Sequence, residues 1–400
     1  MISDNLMKHK YNVNAIIFGI LIVLSLNGAI SFVYTVFKGN YPETMWALLS
    51  VNFLFFSGMT QSGVIFSVMM RVVRTRWDCP FAKTGEMITL STAPICLILF
   101  VILYTGGAGH IYSRVSEPPS IFWRNILTMG IFYALSYYYY YTCNFKENNI
   151  TTTDTIEKRV NIPAFAVIVF YVIHNTIIAW DLGMRIIPHW ESTIFPPYFW
   201  VGSIFAGMAF IFIVRGILMT GSGQLISNRN CDSNKNNAPQ PEECNYRSRD
   251  LSHIEMNTGW IRCLDHMGKL LLGFTLLWTY MFWSQYIVIW YGDIPRFTGP
   301  LLRQMSGRYS GTFLLMLIIT LILPFICLIQ KRIRLSAIAL LTVSLLICIG
   351  IWLNRYLMII PVYSDEGTSI ILTWTGISLT TAVTSITILS LVIFMRSRMQ

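Results

Sequence analysis

The chain has 400 residues, of which 54% are hydrophobic and 12% are charged, and its formal net charge is +10. So little polar surface cannot cover a soluble protein of this size, so the composition excludes a soluble fold. A backbone in lipid must satisfy its own hydrogen bonds, and the apolar runs are long and do not alternate. These features exclude a membrane β-barrel and predict an all-α polytopic membrane protein.

Runs of about 20 apolar residues suffice to cross the hydrocarbon core of a bilayer, and such runs predict about ten transmembrane helices. They lie near residues 14–37, 45–70, 87–107, 121–142, 162–182, 197–220, 268–291, 310–330, 335–357 and 369–395. No basic segment with an apolar core and a small-residue cleavage site precedes the first run. We therefore expect the first run to be a retained helix.

Lysine and arginine concentrate in the segments that face inward when the N-terminus is placed in the cytoplasm. This bias is a topogenic signal, and it predicts that both termini are cytoplasmic. Arg124, Arg185 and Arg355 are among the few basic residues assigned to the outer side. The positive charge serves topology and contacts with anionic lipid headgroups, so we expect no nucleic-acid partner.

A polar segment at 222–265, rich in Asn, Ser and charged residues, interrupts the apolar runs. It predicts a cytoplasmic linker that is partly disordered or that docks a partner. The linker divides the chain into an N-terminal segment with the first helix (1–44), a first four-helix bundle (45–182) and an outer loop with the sixth helix (183–221) before it. Helices seven to nine (266–357) follow and complete a second bundle with the sixth helix, and a last helix and tail (358–400) end the chain.

Two spans share a spacing of small residues. Gly58-x4-Gly63-x2-Phe66 lies in the second span, and Gly202-x4-Gly207-x2-Phe210 lies in the sixth. The match indicates either duplicated bundles related by an axis along the membrane normal or small residues that let helices approach closely.

The eight cysteines form no C-x-x-C motif and no ferredoxin-like cluster. Membrane haems need pairs of buried histidines, and only His174 lies well inside a predicted span. We therefore expect no haem or iron–sulfur ligands in this chain.

Ionisable residues inside a membrane are costly and mark ligand sites or ion pathways. Asp181 and Arg185 lie at the outer end of the fifth span, His189 follows them, and His110 lies just beyond the third span on the same side. A quinol headgroup needs acceptors for its hydroxyl protons, and a carboxylate and imidazoles supply them. These four residues predict an outer-face quinol pocket. The alternative is an Asp–Arg pair at i, i+4 that holds a helix end.

Further polar residues lie deeper in the predicted spans or at their cytoplasmic ends. In order of depth, Glu86, Gln61, His174 and Asp181 rise from the inner side to the outer side, with Asp265 and His266 at the cytoplasmic end of the seventh span. This order predicts a proton route. Hydrogen bonding between helices and ordinary helix-end charge are the alternatives.

Several segments resemble a known family. Asp265-His266-Met267-Gly268-Lys269 and Phe282-Trp283-Ser284-Gln285-Tyr286, running on to Trp290-Tyr291-Gly292-Asp293-Ile294-Pro295, resemble the seventh helix of the ten-helix membrane subunits of alternative complex III. That complex is a bacterial quinol:electron-acceptor oxidoreductase, and its membrane subunits belong to the NrfD/polysulfide-reductase family. Pro188-His189-Trp190-Glu191-Ser192-Thr193-Ile194-Phe195 resembles the family's Pro-His-Trp-x-Ser-Thr-Ile-Phe signature.

The resemblance, which is greater to the second (F-type) membrane subunit, implies a protein of the bacterial inner membrane with two four-helix bundles. It implies as partners a homologous ten-helix membrane subunit, an iron–sulfur subunit and c-type cytochrome subunits. A quinol pocket, or a vestigial one, and polar proton routes are also implied. The chain departs from the family pattern at Ile187, Glu191, Pro196 and Arg296-Phe297, which changes the local charge of the outer face.

Two other functions fit ten helices. A secondary transporter would share the helix number and the parallel repeats, although the spans contain few of the Gly and Pro breaks that build midplane substrate sites. A purely structural membrane anchor would use the buried polar residues only to hold helices together.

Overall fold

The structure, a computed structural model, describes residues 2–38, 42–73, 75, 79–107, 118–148, 153–187, 190–221, 247–363 and 374–399. The regular elements in these ranges are all helical. The helices are α1 (Ile2–Lys38), α2 (Pro42–Val72), α3 (Cys79–Gly107), α4 (Pro118–Asn148), α5 (Thr153–Ile178), α6 (Phe195–Gly221), α7 (Arg247–Gly292), α8 (Pro295–Met305), α9 (Ser310–Leu317), α10 (Leu323–Ile329), α11 (Lys331–Arg334), α12 (Ala337–Tyr363) and α13 (Trp374–Met399). A π-helical segment (Ala179–Met184) extends α5, and a second one (Ile318–Ile322) joins α9 to α10.

Nine helical segments among the described residues are long and apolar enough to cross a membrane. They correspond to every predicted span except the fourth, 121–142. That span forms the 31-residue helix α4, but the run of tyrosines at 137–141 lowers its hydropathy. The chain is a multi-pass, all-α membrane protein.

Proline and the linker set several helix boundaries. α2, α4 and α8 begin at Pro42, Pro118 and Pro295, where the missing N–H of proline has no intrahelical partner to lose.

α7 begins at Arg247 and has 46 residues, so the second part of the predicted linker 222–265 is helical. Residues 222–246 of that linker lie outside the described residues.

Helices α2 to α5 pack as sequential antiparallel neighbours. The ring centroids of Phe53 and Phe100 are 5.8 Å apart across α2 and α3, and those of Phe100 and Phe122 are 5.8 Å apart across α3 and α4. Phe132 of α4 meets Tyr171 of α5 at 5.9 Å. The helices therefore alternate in direction along the chain.

Helices α6, α7, α9 with α10, and α12 alternate in the same way. Tyr198 of α6 lies 5.8 Å from Trp278 of α7, and Tyr286 of α7 lies 6.1 Å from Phe313 of α9, measured between ring centroids. Helices α3, α5, α7 and α12 consequently end on one side. The charge distribution predicts that this side is outside the cell, and we call it the outer face.

Close contacts between small residues join the two sets of helices. Gly58 of α2 lies against Ser203 of α6, and Gly207 of α6 lies against Ser62 of α2. A Cβ atom on Gly207 would lie only 2.7 Å from the backbone oxygen of Met59. Close approach of helices therefore accounts for the glycine spacing at these positions, while duplication of the bundles stays a prediction.

Helix α2 lies at the centre of the molecule and α1 at its edge. In the most apolar 18-residue stretch of α2, 94% of the residues are buried, whereas in that of α1 only 6% are buried. α1 packs mainly along α13, where Gly28 contacts Ser378 and Ala382. α13 in turn contacts α2 and α3, so α1 and α13 flank the other helices.

Candidate functional site

The outer end of α5 turns Asp181 into the protein. A π-helical segment, Ala179–Met184, replaces the α-helix there, and the N–H of Arg185 donates to the Trp180 carbonyl oxygen at 2.9 Å. Such segments interrupt the α-helical register and often occur at functional sites. Asp181 is 0% exposed as a result, whereas the side chain of Arg185 is 44% exposed.

Donors from two helices surround the Asp181 carboxylate. Arg124 of α4 donates to both carboxylate oxygens, from Nη2 to Oδ1 and from Nε to Oδ2 at 3.2 Å. The side-chain amide of Asn125 donates to Oδ2 at 2.7 Å. Arg185 Nη1 lies 3.7 Å from Oδ1. The predicted Asp181–Arg185 pair is therefore present, but the bidentate and stronger partner is Arg124 on the neighbouring helix.

His174 lies on α5, about two helical turns to the inner side of Asp181, and it is fully buried. Its Nε2 atom is 3.2 Å from Nε2 of Gln61, and its Nδ1 atom is 3.0 Å from Oγ1 of Thr128. The structure thus places two predicted route residues, Gln61 and His174, in direct contact.

The surrounding hydrogen bonds fix the protonation pattern of the imidazole. Asn175 donates its side-chain amide to Oε1 of Gln61 at 3.2 Å, which leaves Nε2 of Gln61 as the donor to His174. Nε2 of His174 must then accept, so the ring proton sits on Nδ1 and is donated to Thr128. The Thr128 hydroxyl donates in turn to the backbone oxygens of Arg124 and Asn125.

Polar contacts therefore run from the outer end of α5 to the middle of α2. We call the group Asp181, Asn125, Thr128, His174 and Gln61 the first polar cluster. Asn125, His174, Gln61 and Asp181 are each 0% exposed. The five residues come from three helices, α2, α4 and α5 with its π-helical extension, so the cluster connects these helices.

Glu86 belongs to a second group of contacts nearer the inner side. The Ser67 hydroxyl donates to the Glu86 carboxylate. Tyr139 OH lies 3.2 Å from Oγ of Ser67 and is placed to donate to this Oγ atom. The guanidinium of Arg71 lies 5.5 Å from the centre of the Tyr139 ring. Along α2, Ser67 is about 9 Å further toward the inner side than Gln61 at the 1.5 Å rise of an α-helix.

Asp265 holds the inner ends of other helices together. Its carboxylate is 2.9 Å from Nε of Arg334 and 2.6 Å from Nζ of Lys269. Nη1 of Arg334 also donates to the backbone oxygens at the end of α10, at 2.7 Å for Leu328. These contacts join α7 to the segment between α10 and α12. These contacts of Asp265 do not include a residue of the first polar cluster. His266 follows Asp265 on the same turn of α7.

Some predicted residues lie outside the described ranges, and some important ones escaped prediction. His110 and His189 fall outside the described residues. Arg124, Asn125 and Thr128 of α4 were not predicted as site residues, although the adjacent Arg124 and Asn125 are the polar pair in an otherwise apolar run. Arg355 was assigned to the outer side, but it is 0% exposed within α12.

Comparisons with known proteins do not identify a relative. No family model matches the chain, and no curated protein matches it.

Proposed function

We propose that the chain is an integral membrane subunit of a bacterial quinol-oxidising respiratory complex, of the alternative complex III type. The first polar cluster supports this proposal most strongly. It holds a fully buried carboxylate near the outer face and a fully buried imidazole deeper in the membrane. Buried ionisable groups of this kind are expensive in a bilayer and are characteristic of proton and ligand pathways.

We infer that helices α2 to α5 form one four-helix bundle and that α6, α7, α9 with α10, and α12 form the other. In this arrangement α4 is the tenth membrane span. Trp123 is 68% exposed near its outer end, and Tyr141 is 57% exposed near its inner end. The two are about 27 Å apart along the helix, close to the hydrocarbon thickness that separates two interfacial aromatic belts.

The quinol would bind at the outer face beside Asp181, with His110, Arg185 and His189 as further contacts. One quinol hydroxyl would donate to the carboxylate and the other to an imidazole. Asp181 is 0% exposed and its carboxylate contacts Arg124 and Asn125, so a quinol reaches it only if a covering side chain moves. The side chains of Arg124 and Arg185 are 40% and 44% exposed, and these arginines can swing outward while the carboxylate stays in place.

The proton route is proposed to continue inward through the first polar cluster. Thr128 Oγ1 and Gln61 Nε2 contact the two nitrogens of His174, so the Nδ1 proton can be released toward the Thr128 hydroxyl. The Gln61 NH2 group only donates hydrogen bonds and transfers no proton, so a proton would reach Nε2 only when this amide turns away and a water molecule takes its place. Glu86 with Ser67 would form the inner part of the route, and Asp265 with His266 would lie at the cytoplasmic side.

Replacing Asp181 with Asn tests the proposal. Asp181→Asn removes the proton acceptor but keeps the size of the side chain. We expect quinol oxidation by the assembled complex to fall at least tenfold, while Arg303→Gln, an exposed change on the same face, leaves the rate unchanged. Unchanged turnover and unchanged affinity for a quinol analogue in Asp181→Asn would reject a quinol pocket at this position.

A structural membrane anchor is the second candidate, and the hydrogen bonds of Asp181 favour it. The carboxylate accepts from Arg124 and Asn125, and these contacts hold α4 against the outer end of α5. Under this alternative the partners would be the same: the homologous membrane subunit, the iron–sulfur subunit and the c-type cytochrome subunits. Variants at His174 and Glu86 separate the two, because an anchor predicts an unchanged ratio of protons moved to electrons transferred.

A further inference from the structure

A second buried polar group lies in the outer half of α12, away from Asp181. Arg355 is 0% exposed. Its Nη2 atom donates to the backbone oxygen of Phe199 at 2.6 Å and to Oγ of Ser203 at 3.2 Å. Its guanidinium carbon lies 3.8 Å from the centre of the Phe199 ring. Two oxygens and an aromatic face from α6 therefore hold this cation.

The contacts of Arg355 are incomplete. In the part of the chain that the structure describes, no carboxylate pairs with it, and its Nε atom has no hydrogen-bond partner. A buried cation is normally paired or solvated, because removing it from water is costly. The site therefore calls for a further polar ligand.

A line of polar side chains leads from Arg355 toward the outer face. Nη1 of Arg355 is 3.5 Å from Oδ1 of Asn354, and the amide of Asn354 donates to Tyr198 OH. Arg355, Asn354 and Tyr198 form what we call the second polar cluster. Tyr198 also lines a small cavity, together with Gln285 and Met358.

Gln285 lines this cavity and carries an unsatisfied atom. The residue is 3% exposed, it lines the cavity, and its Oε1 atom has no hydrogen-bond partner. Tyr286 and Gln304 line the same cavity, where Tyr286 OH donates to Oε1 of Gln304 at 3.0 Å. The cavity is thus lined by hydroxyl and amide groups, and one of these groups lacks a donor.

The size of the cavity decides which ligand fits. Its volume is about 10 Å³, close to the smallest cavity of about 10 to 15 Å³ that holds one water molecule. A cavity of about 70 Å³ adjoins it, shares Ile187, Gln304 and Met358 with it, and is also lined by Arg303. A quinone ring does not fit the smaller cavity, whereas water fits both.

We propose that helices α6, α7, α8 and α12 enclose a water-filled path from the outer face. The path passes Gln304 and Gln285 and ends at the second polar cluster. The ligand is water, bound between Gln285 Oε1 and the hydroxyl of Tyr198. Water in this path would solvate the Arg355 region from the outside. Gly183, from the same π-helical segment as Asp181, lines the smaller cavity, but Asp181 itself does not. The proposal therefore needs no quinol chemistry at Asp181.

Hydroxyl-radical footprinting of the intact protein in its native membranes tests this path. X-ray radiolysis generates radicals from water where the water sits, and methionine sulfur reacts with them readily. Met358 lines both cavities, whereas Met208 and Met316 are buried at 0% and 1% exposure on neighbouring helices. We expect Met358 to oxidise at least tenfold faster than Met208 and Met316. Equal rates at the three methionines would overturn the proposal.

The variant Gln285→Leu provides the matched test. Removing the unsatisfied acceptor and filling the cavity with an apolar side chain should slow Met358 oxidation at least threefold, with Met208 unchanged. Met358 oxidation that stays at the original rate in Gln285→Leu would contradict the assignment of the water to Gln285. Faster oxidation of Met208 identifies loss of folding, in which case Gln285→Ile, an apolar change of different shape, replaces it and is judged by the same Met358 rate.

Discussion

The two polar clusters solve the problem of buried charge in different ways. In the first cluster the Asp181 carboxylate meets the Arg124 guanidinium and the Asn125 amide, so the buried charge is paired with an opposite charge and with hydrogen-bond donors. In the second cluster Arg355 is held by the Phe199 carbonyl and the Ser203 hydroxyl without a carboxylate among the described residues. The first cluster should therefore be damaged by loss of a single partner, whereas the second should tolerate loss of its charge.

The two clusters also differ in how many of their buried polar atoms have a hydrogen-bond partner. His174 and Gln61 use their side-chain nitrogens in contacts with one another and with neighbours. Among the described residues, the first polar cluster leaves one buried atom, Oδ1 of Asn125, without a partner. Around Arg355 three such atoms, Nε of Arg355, Nε1 of Trp278 and Oε1 of Gln285, lack partners within the described part of the protein. Unsatisfied atoms in a low-dielectric interior require solvent or a ligand, and the region around Arg355 has more of them.

The largest effect is expected from Arg124→Met. Among the described residues it leaves the buried Asp181 carboxylate with Arg185, at 3.7 Å, as its one cationic partner and with the Asn125 amide as a neutral donor. We expect the free energy of unfolding in detergent to fall by about 3 kcal/mol, the lower end for a broken buried pair, because the Arg124 side chain is 40% exposed. The double variant Arg124→Met/Asp181→Asn should recover most of this loss. No recovery would show that the charge of Asp181 is not the cause.

Replacement of His174 should have the next largest effect. His174→Leu removes one partner from Gln61 and one from Thr128. It leaves one N–H of the Gln61 amide unpaired in the interior, while Nε2 keeps its contact with Tyr133 OH at 3.3 Å. We expect a loss of about 2 kcal/mol in the free energy of unfolding. His174→Gln, which retains a donor and an acceptor, should lose less. Equal losses in the two variants would indicate that packing, rather than hydrogen bonding, explains the cost.

A smaller effect is expected at the contact between α2 and α6. A Cβ atom on Gly207 would lie 2.7 Å from the Met59 backbone oxygen, so Gly207→Ala must push the helices apart. We expect a loss of about 1 to 2 kcal/mol in unfolding free energy. Gly130, whose Cβ position is open, is the matched control, and Gly130→Ala should be neutral or slightly stabilising because alanine is the better helix former.

The smallest effect is expected from Arg355→Met, which distinguishes the two clusters directly. An apolar side chain of similar length replaces a cation that pairs with no carboxylate among the described residues. Such a replacement leaves no unpaired anion behind in that part of the chain and is often neutral or stabilising. The Phe199 oxygen keeps the Ser203 hydroxyl as a donor at 3.2 Å. We expect a change of less than about 1 kcal/mol in thermal-unfolding measurements. A loss as large as that of Arg124→Met would mean that Arg355 has a hidden anionic partner.

The sequence predicted the membrane class well because the bilayer imposes length and hydropathy on each helix. Nine of the predicted spans correspond to apolar helices. The fourth span differs because its inner half carries the tyrosine run 137–141, which suits an interface better than a hydrocarbon core. The beginning of α7 at Arg247 escaped prediction because polar helices that extend beyond a membrane have no apolar periodicity to reveal them.

The candidate site was predicted only in part, for a geometric reason. Asp181 and His174 were identified because charge and imidazole are rare in spans, and the contact of His174 with Gln61 follows from their similar depth. Arg124 was counted as an outer charge, since a sequence gives the depth of a residue but not the direction in which it points. The π-helical segment that contains Asp181 was not predicted from the sequence.

Purification of the protein from its native membrane, followed by an assay of quinol oxidation, tests the proposed function most directly. The proposal predicts that the chain co-purifies with a second ten-helix membrane subunit and with iron–sulfur and c-type cytochrome proteins, and that the preparation oxidises quinol. A chain that purifies alone in a folded state, from membranes in which quinol oxidation is unaffected by its deletion, would contradict it.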